Sequence, residues 1–191
     1  MSRINYESSI DETDKFCPPH GHNYRLLYHN IFLSEPNTIL EIGTASCGFA
    51  KFLKDNNLGK HIVGADLKKG VVSYHIHSRL TWEDLFDDFY EGDATSNDFL
   101  EWIKGKNYKF DLVIDDASHT VAMQINLLKK CELFMSDSSV YLIEDISSYN
   151  NAKEIIKHVP TSLKPYAYIV DLSDAYNRWD DICIIIDTRK I

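Results

Sequence analysis

Two short apolar runs end in paired carboxylates: Phe110-Asp-Leu-Val-Ile-Asp-Asp-Ala-Ser-His119, and Val140-Tyr-Leu-Ile-Glu-Asp145. The first pair, Asp115 and Asp116, is followed three residues on by His119. Runs this short and this apolar read as buried parallel strands, and an open parallel sheet delivers such strand ends to one crevice. Carboxylates a few ångströms apart repel by roughly 1–4 kcal/mol per pair, so the cluster calls for a cation, most simply a divalent metal. Side chains alternate along a strand, so Asp115 and Asp116 face opposite ways: one can serve a cofactor and the other a metal.

The elements that must position these residues alternate in pattern. Thr38–Ile42, His61–Ala65, Asp88–Glu91, Phe110–Ile114 and Val140–Ile143 read as strands, with helices expected over Phe49–Asn56, Trp82–Asp87, Ser96–Lys104 and Val121–Phe134. Alternation of this kind means a parallel sheet with right-handed crossovers. Ala167–Val170 and Ile182–Ile186 are separated only by a polar connector too short for the usual crossover, so the last strand should run antiparallel. Tyr24, Tyr28 and Phe32 recur at helical spacing and read as the core face of a leading helix. The stretch 68–84, with His75 and His77 on one strand face, reads as a surface excursion or part of a lid.

Composition narrows the function classes. A chain of 191 residues, 44% hydrophobic and 26% charged, suits one globular domain. A net charge of -9 argues against nucleic acid and anionic membranes as partners. No run reaches the ~18–20 apolar residues of a membrane span, and the expected location is cytoplasmic. Cys17, Cys47, Cys131 and Cys183 are scattered, without zinc or disulfide spacing. Cys17-Pro-Pro-His20-Gly-His22 likewise matches no zinc motif and reads as a flap.

Glu41-Ile-Gly-Thr-Ala-Ser-Cys-Gly-Phe49 is a small-residue turn opening a helix, where a ligand can approach the backbone. Asp66 lies 23 positions after Gly43, near where an acid grips a ribose hydroxyl, and Gly92-Asp93-Ala94 puts another acid at a strand end. Ala45 stands where a dinucleotide fingerprint needs its second glycine, which weakens the reading as an NAD-dependent or nucleotide-sugar oxidoreductase. A non-catalytic adenosine-binding module would keep Asp66 and dispense with His119 or the metal carboxylates, whereas all are present.

From about Thr38 onward the chain resembles class I S-adenosylmethionine-dependent methyltransferases. Val113-Ile-Asp-Asp-Ala-Ser-His119, Leu142-Ile-Glu-Asp145 with Tyr149, and Arg178-Trp-Asp-Asp-Ile182 resemble the metal-dependent macrocin and mycinamicin type of sugar O-methyltransferase, with its cephalosporin hydroxylase-like and rhamnosyl relatives. Thr13-Asp-Lys15 and His20-Gly-His-Asn-Tyr24 look like the leader of small methyltransferases near this group. Ala117 and Cys47 stand where the relatives usually carry glycine. The resemblance implies a Rossmann-like α/β domain over 38–191 after a leader or flap region over 1–37. Its sheet would be seven-stranded and mostly parallel, with the last strand antiparallel. It also implies S-adenosylmethionine held by Glu41, Gly43, Thr44, Asp66, Asp93, Ala94 and Asp115, with Mg2+ or Mn2+ on Asp116, Glu144 and Asp145. His119 would be the general base, and the acceptor a small molecule, a sugar or glycoside; a homo-oligomer is compatible with this type. Arg178-Trp179 would either bind substrate or anchor a hairpin, and the sequence assigns no role to Asp180 and Asp181.

Overall fold

The computed structural model describes residues 4–6, 13–16, 21–69 and 80–189. Its elements run in the order α1 (Arg25–Phe32), β1 (Thr38–Ile42), α2 (Gly48–Asp55), β2 (His61–Asp66), α3 (Trp82–Leu85), β3 (Asp88–Glu91), α4 (Asn97–Lys106), β4 (Phe110–Asp115), α5 (Val121–Leu128), β5 (Met135–Ile143), α6 (Tyr149–Ile156), β6 (Ala167–Asp171), α7 (Ser173–Tyr176) and β7 (Ile182–Asp187). The strands form one sheet in the order β3-β2-β1-β4-β5-β7-β6. β1, β2, β3, β4 and β5 pair in parallel, whereas β7 lies antiparallel to both β5 and β6. The expected fold class is therefore the observed one. β7 turns back because the connector from β6 holds only the single turn of α7, too little for a crossover.

Near-continuous apolar runs make β1, β4 and β7 central strands, since both faces of the sheet are covered. On one face Phe99 and Ile103 of α4, Leu127 and Leu128 of α5, and Ile155 of α6 pack together. On the other, α1 and α2 supply Tyr28, Phe32, Phe49 and Phe52, joined by Phe16 from a 3-10 turn at Asp14–Phe16. Ring centroids there stand 4.9 Å apart for Tyr28 and Phe49 and 4.7 Å for Phe16 and Phe52. The predicted core face of the leading helix is thus real: Tyr24, Tyr28 and Phe32 are all buried, although Tyr24 sits at the N-cap of α1.

Several boundaries differ from the sequence expectation. α5 stops at Leu128 and a 3-10 turn at Cys131–Leu133 follows, so the expected single helix to Phe134 is two pieces. β5 starts at Met135 and shifts register against β4 between Phe110 and Leu112, which lets the polar, partly exposed residues 136–138 join a strand whose apolar half begins at Val140. α3 ends at Leu85, with Phe86 extended. The sequence reading proposed no helix for α6, which opens on polar Tyr-Asn-Asn and buries only Ala152 and Ile155. Ser148 fixes its start by accepting a hydrogen bond from the amide of Asn151. His75 and His77 lie outside the described residues.

The strand order reverses at β1 and β4, where the crossovers leave the C-terminal strand ends uncovered. The acids expected from the sequence stand at these ends.

Candidate functional site

A cleft of about 570 Å³ opens over the C-terminal ends of β1, β2, β3 and β4. Gly43, Asp66, Asp93, Ala94 and Asp115 line it together with Asp116, His119 and Asp145; Glu41, Thr44 and Glu144 are buried and contribute no wall. Sheet bonds set the edge: Gly43 N–H donates to Ala65 O (2.8 Å), Asp116 N–H to Ile42 O (2.9 Å) and Glu144 N–H to Asp115 O (3.0 Å).

The turn after β1 is held shut by Asp66. Its Oδ2 accepts hydrogen bonds from the backbone amides of Thr44 (2.9 Å) and Ala45 (3.1 Å) and from the Thr44 hydroxyl (3.4 Å). Gly43 has φ +89°, and a Cβ there would lie 2.2 Å from the carbonyl oxygen of Asp116, so only glycine fits where this turn meets β4. Ala45 and Cys47 also take left-handed backbone, φ 42° and 64°, without being glycine. Cys47 keeps it with its amide bonded to Thr44 O at 2.6 Å. Such backbone in non-glycine residues costs about 1–3 kcal/mol each and persists where surrounding structure imposes it.

Asp115 and Asp116 face opposite sides of β4, as strand alternation requires. Asp115 accepts a hydrogen bond from the Tyr141 hydroxyl (3.3 Å), and burial pushes its carboxyl up to about 7. Asp116 turns instead toward the leader segment. There Lys15, 3% exposed, points its ammonium at Asp116 Oδ2 (2.5 Å) and at Glu144 Oε2. Tyr28 donates its hydroxyl to the other oxygen of Glu144 (2.8 Å). Burial works against the Lys15 charge, but Asp116, Glu144 and Glu41 around it hold its pKa well above the usual lysine value. Burial pushes Glu144 up to about 8, with Asp116 and Asp145 adding to the rise and Lys15 opposing it.

Asp145 is gripped by the same segment. Tyr24 donates its hydroxyl to Asp145 Oδ1 (2.7 Å), and His22 Nε2 lies 3.2 Å from Oδ2. The other ring nitrogen of His22 meets Asp181 Oδ1 at 2.6 Å, and Arg178 bonds Asp180 at 2.9 Å. Asp181 is fully buried and Asp180 pairs with Arg178, so both have structural partners that spacing did not reveal; Arg178 acts as an anchor here, while Trp179 is 67% exposed. Burial and the Arg178 guanidinium, whose Nη2 lies 2.8 Å from His22 Nε2, work against the His22 charge, yet Asp145 and Asp181 raise its pKa from 6.5 to about 9.

His22 makes the stability of the fold depend on pH. A folded pKa above the unfolded one means the native state binds the extra proton, so this stability is complete below about pH 6.5 and lost as pH rises through about 9. Asp115 and Glu144, raised to about 7 and 8, slope the same way. Urea unfolding in chelator from pH 6 to 10 should show a falling free energy, and His22→Gln should flatten but not remove the fall. A His22→Gln protein with the full wild-type slope would dissociate His22 from it.

His119 is exposed, with φ 48°. The N-cap of α5 is Thr120, so His119 does not cap that helix. One ligand atom each from Asp116, His119 and Asp145 lie within 4.8 Å of one another, a donor set that fits a cation. Glu144 stands outside that group, with both oxygens engaged by Lys15 and Tyr28. Lys15, His22, Tyr24 and Tyr28 were not singled out as site residues by sequence reasoning; the only signal was the leader motif containing Lys15, His22 and Tyr24.

The sheet order with β7 inserted antiparallel is the fold of class I S-adenosylmethionine-dependent methyltransferases. Among solved structures similar to this chain is MycE, the methyltransferase of mycinamycin biosynthesis, in complex with Mg and SAH: 19% identity and TM-score 0.63 over 98% of this chain and 56% of that one. An O-methyltransferase from Bacillus cereus in complex with SAH gives 14%, TM-score 0.61, and coverage of 94% and 86%. A putative SAM-dependent methyltransferase from Streptococcus mutans gives 11%, 0.60, 85% and 48%. The chain spans about half the length of MycE. No protein-family model and no curated protein matches it. Among the described residues no helix is long and apolar enough to cross a membrane.

Proposed function

We propose that this protein is an S-adenosylmethionine-dependent O-methyltransferase acting on a hydroxyl of a small molecule, a sugar or glycoside. The observation that carries this reading is one cleft that joins the Gly43 turn and Asp66 to the Asp116, His119 and Asp145 group. The similarity to MycE, which has been captured with Mg, SAH and mycinamycin VI, supports the choice of acceptor and metal.

In this reading Gly43 admits the methionine part of the cofactor beside the turn, Asp66 takes the ribose hydroxyls through the oxygen not bonded to the Thr44 and Ala45 amides, and Asp93, Ala94 and Asp115 border the rest, with Glu41 and Thr44 supporting the turn. S-adenosylmethionine bound there would supply an electrophilic methyl on sulfur. Asp116 and Asp145 would hold Mg2+ or Mn2+, which lowers the pKa of an acceptor hydroxyl. Glu144, the third carboxylate of the expected set, would reach the ion only by leaving Lys15 or Tyr28. His119 faces the two aspartates from the open side and would take the hydroxyl proton as the oxygen forms its bond to the methyl carbon and the carbon–sulfur bond breaks. The remaining task of the chain is alignment of oxygen, carbon and sulfur.

S-adenosylhomocysteine should stabilise the fold. At 100-fold over its dissociation constant the gain is about 2.7 kcal/mol, a melting shift on the order of 5–10 °C for a chain of this size. Asp66→Ala should remove most of the shift, because it also releases the Thr44 and Ala45 amides. Thermal melts with and without ligand check this; no shift with S-adenosylhomocysteine beside a clear one with NAD would replace the methyltransferase reading.

A further inference from the structure

We infer that Lys15 is a resident cation of the acid cluster, standing at Asp116 and Glu144 where a second carboxylate pair would otherwise bind a divalent ion. Its ammonium touches one oxygen of each acid and is enclosed, 3% exposed, with the ring of Phe49 5.4 Å from the nitrogen on the apolar side. The Glu41 carboxyl, buried with Oε2 unpartnered among the described residues, lies near enough to favour the Lys15 charge, although burial holds its own pKa well above the usual carboxylate range. Two acids in contact with one buried ammonium repay its desolvation only through close geometry and satisfied hydrogen bonds.

Lys15 also ties the cluster to the leader. It belongs to the 3-10 turn Asp14–Phe16, whose Phe16 is locked among the aromatics of α1 and α2, so the ammonium is delivered by a packed element. Its backbone carbonyl accepts from the amide of Tyr24 (3.1 Å), and Tyr24 in turn holds Asp145. Lys15 is thus a positioning residue: it fixes which oxygen of Asp116 faces the cleft, holds Glu144 back from it and limits how much positive charge the cluster accepts. This role rests on the proposed reading of the carboxylates as a cation site.

The test is Mn2+ binding, read by electron paramagnetic resonance, and thermal melting in chelator or with Mn2+, for the wild-type chain, Lys15→Met, Lys15→Arg and Lys15→Met/Glu144→Gln. Lys15→Met keeps the length and removes the charge. It should bind Mn2+ on the order of tenfold more tightly than wild type, or bind one more equivalent. Its melting temperature should fall in chelator and recover with Mn2+, while Lys15→Arg, which keeps the charge, should show no gain in Mn2+ affinity. Lys15→Met/Glu144→Gln, with one acid neutralised, should melt higher in chelator than Lys15→Met and lose the gain in Mn2+ affinity. Wild type that fails to bind Mn2+ beside a Lys15→Met protein that does would support the role of Lys15 and remove the metal from the proposed function. Tight wild-type binding with no gain in Lys15→Met would overturn the role of Lys15 alone. Binding by neither protein overturns both, and the S-adenosylhomocysteine shift then still reports on the methyltransferase reading. If Lys15→Met folds in neither condition while the double variant folds without metal, Lys15 is only a structural partner of Glu144, and the inference fails.

Discussion

Turnover should fall by about 10²-fold or more when divalent ions are stripped with chelator, and should return when Mg2+ or Mn2+ is added. A metal acting on an acceptor oxygen is worth several kcal/mol of transition-state stabilisation, which sets that scale. The expectation rests on Asp116 and Asp145, whose oxygens stand within reach of one ion at the wall of the cleft. Asp116→Ala should give the same loss without recovery on adding metal, and it should also free Lys15 from one of its two carboxylates. The measurement is methyl transfer to a panel of sugar and glycoside acceptors in metal-free buffer, with each ion restored singly. Full activity in excess chelator would reduce these acids to partners of Lys15, His22 and Tyr24.

The sheet was legible in the sequence because its signals are local. Phe110–Asp115 and Ile182–Asp187 are apolar runs long enough for a strand and too short for a helix, and the connector after β6 left the last strand no parallel option. The acids at the strand ends were legible for the same reason: a strand's end is marked by where its apolar run stops. The partners of those acids were not. Lys15 reaches Asp116 across 101 positions and Glu144 across 129, and His22 reaches Asp181 across 159. No local pattern records such pairs. Tyr28 illustrates the boundary between the two: helical spacing correctly buried its ring, but spacing has no bearing on the hydroxyl, which donates to Glu144. α6 escaped because a polar opening and two buried residues leave little periodic signal.

Replacing His119 by alanine should lower kcat by about 10²–10⁴-fold, the usual contribution of a positioned general base. Cofactor affinity and melting temperature should stay near wild type, because His119 is exposed and α5 takes its N-cap from Thr120. The left-handed backbone at His119, φ 48°, and at Asp145, φ 54°, has a cost that helix capping does not account for; such residues cluster at functional sites, where their surroundings aim a side chain. A second role for the imidazole would be as a ligand to the ion, since its nitrogen lies within 4.8 Å of the oxygens of Asp116 and Asp145. Mn2+ affinity separates the two roles. Loss of a base leaves that affinity unchanged, whereas loss of a ligand weakens it, by at least the 10–100-fold seen when even outer-shell partners are removed. The experiment therefore pairs single-turnover methyl transfer with Mn2+ titration of the same His119→Ala protein. A slow chemical step with unchanged Mn2+ binding assigns His119 the proton. A slow step that tracks lost Mn2+, and that recovers at saturating metal, assigns it to the ion and leaves proton removal to solvent. Near-wild-type turnover removes it from the mechanism, and catalysis must then come from the two aspartates, the bound ion and the alignment imposed by the Gly43 turn.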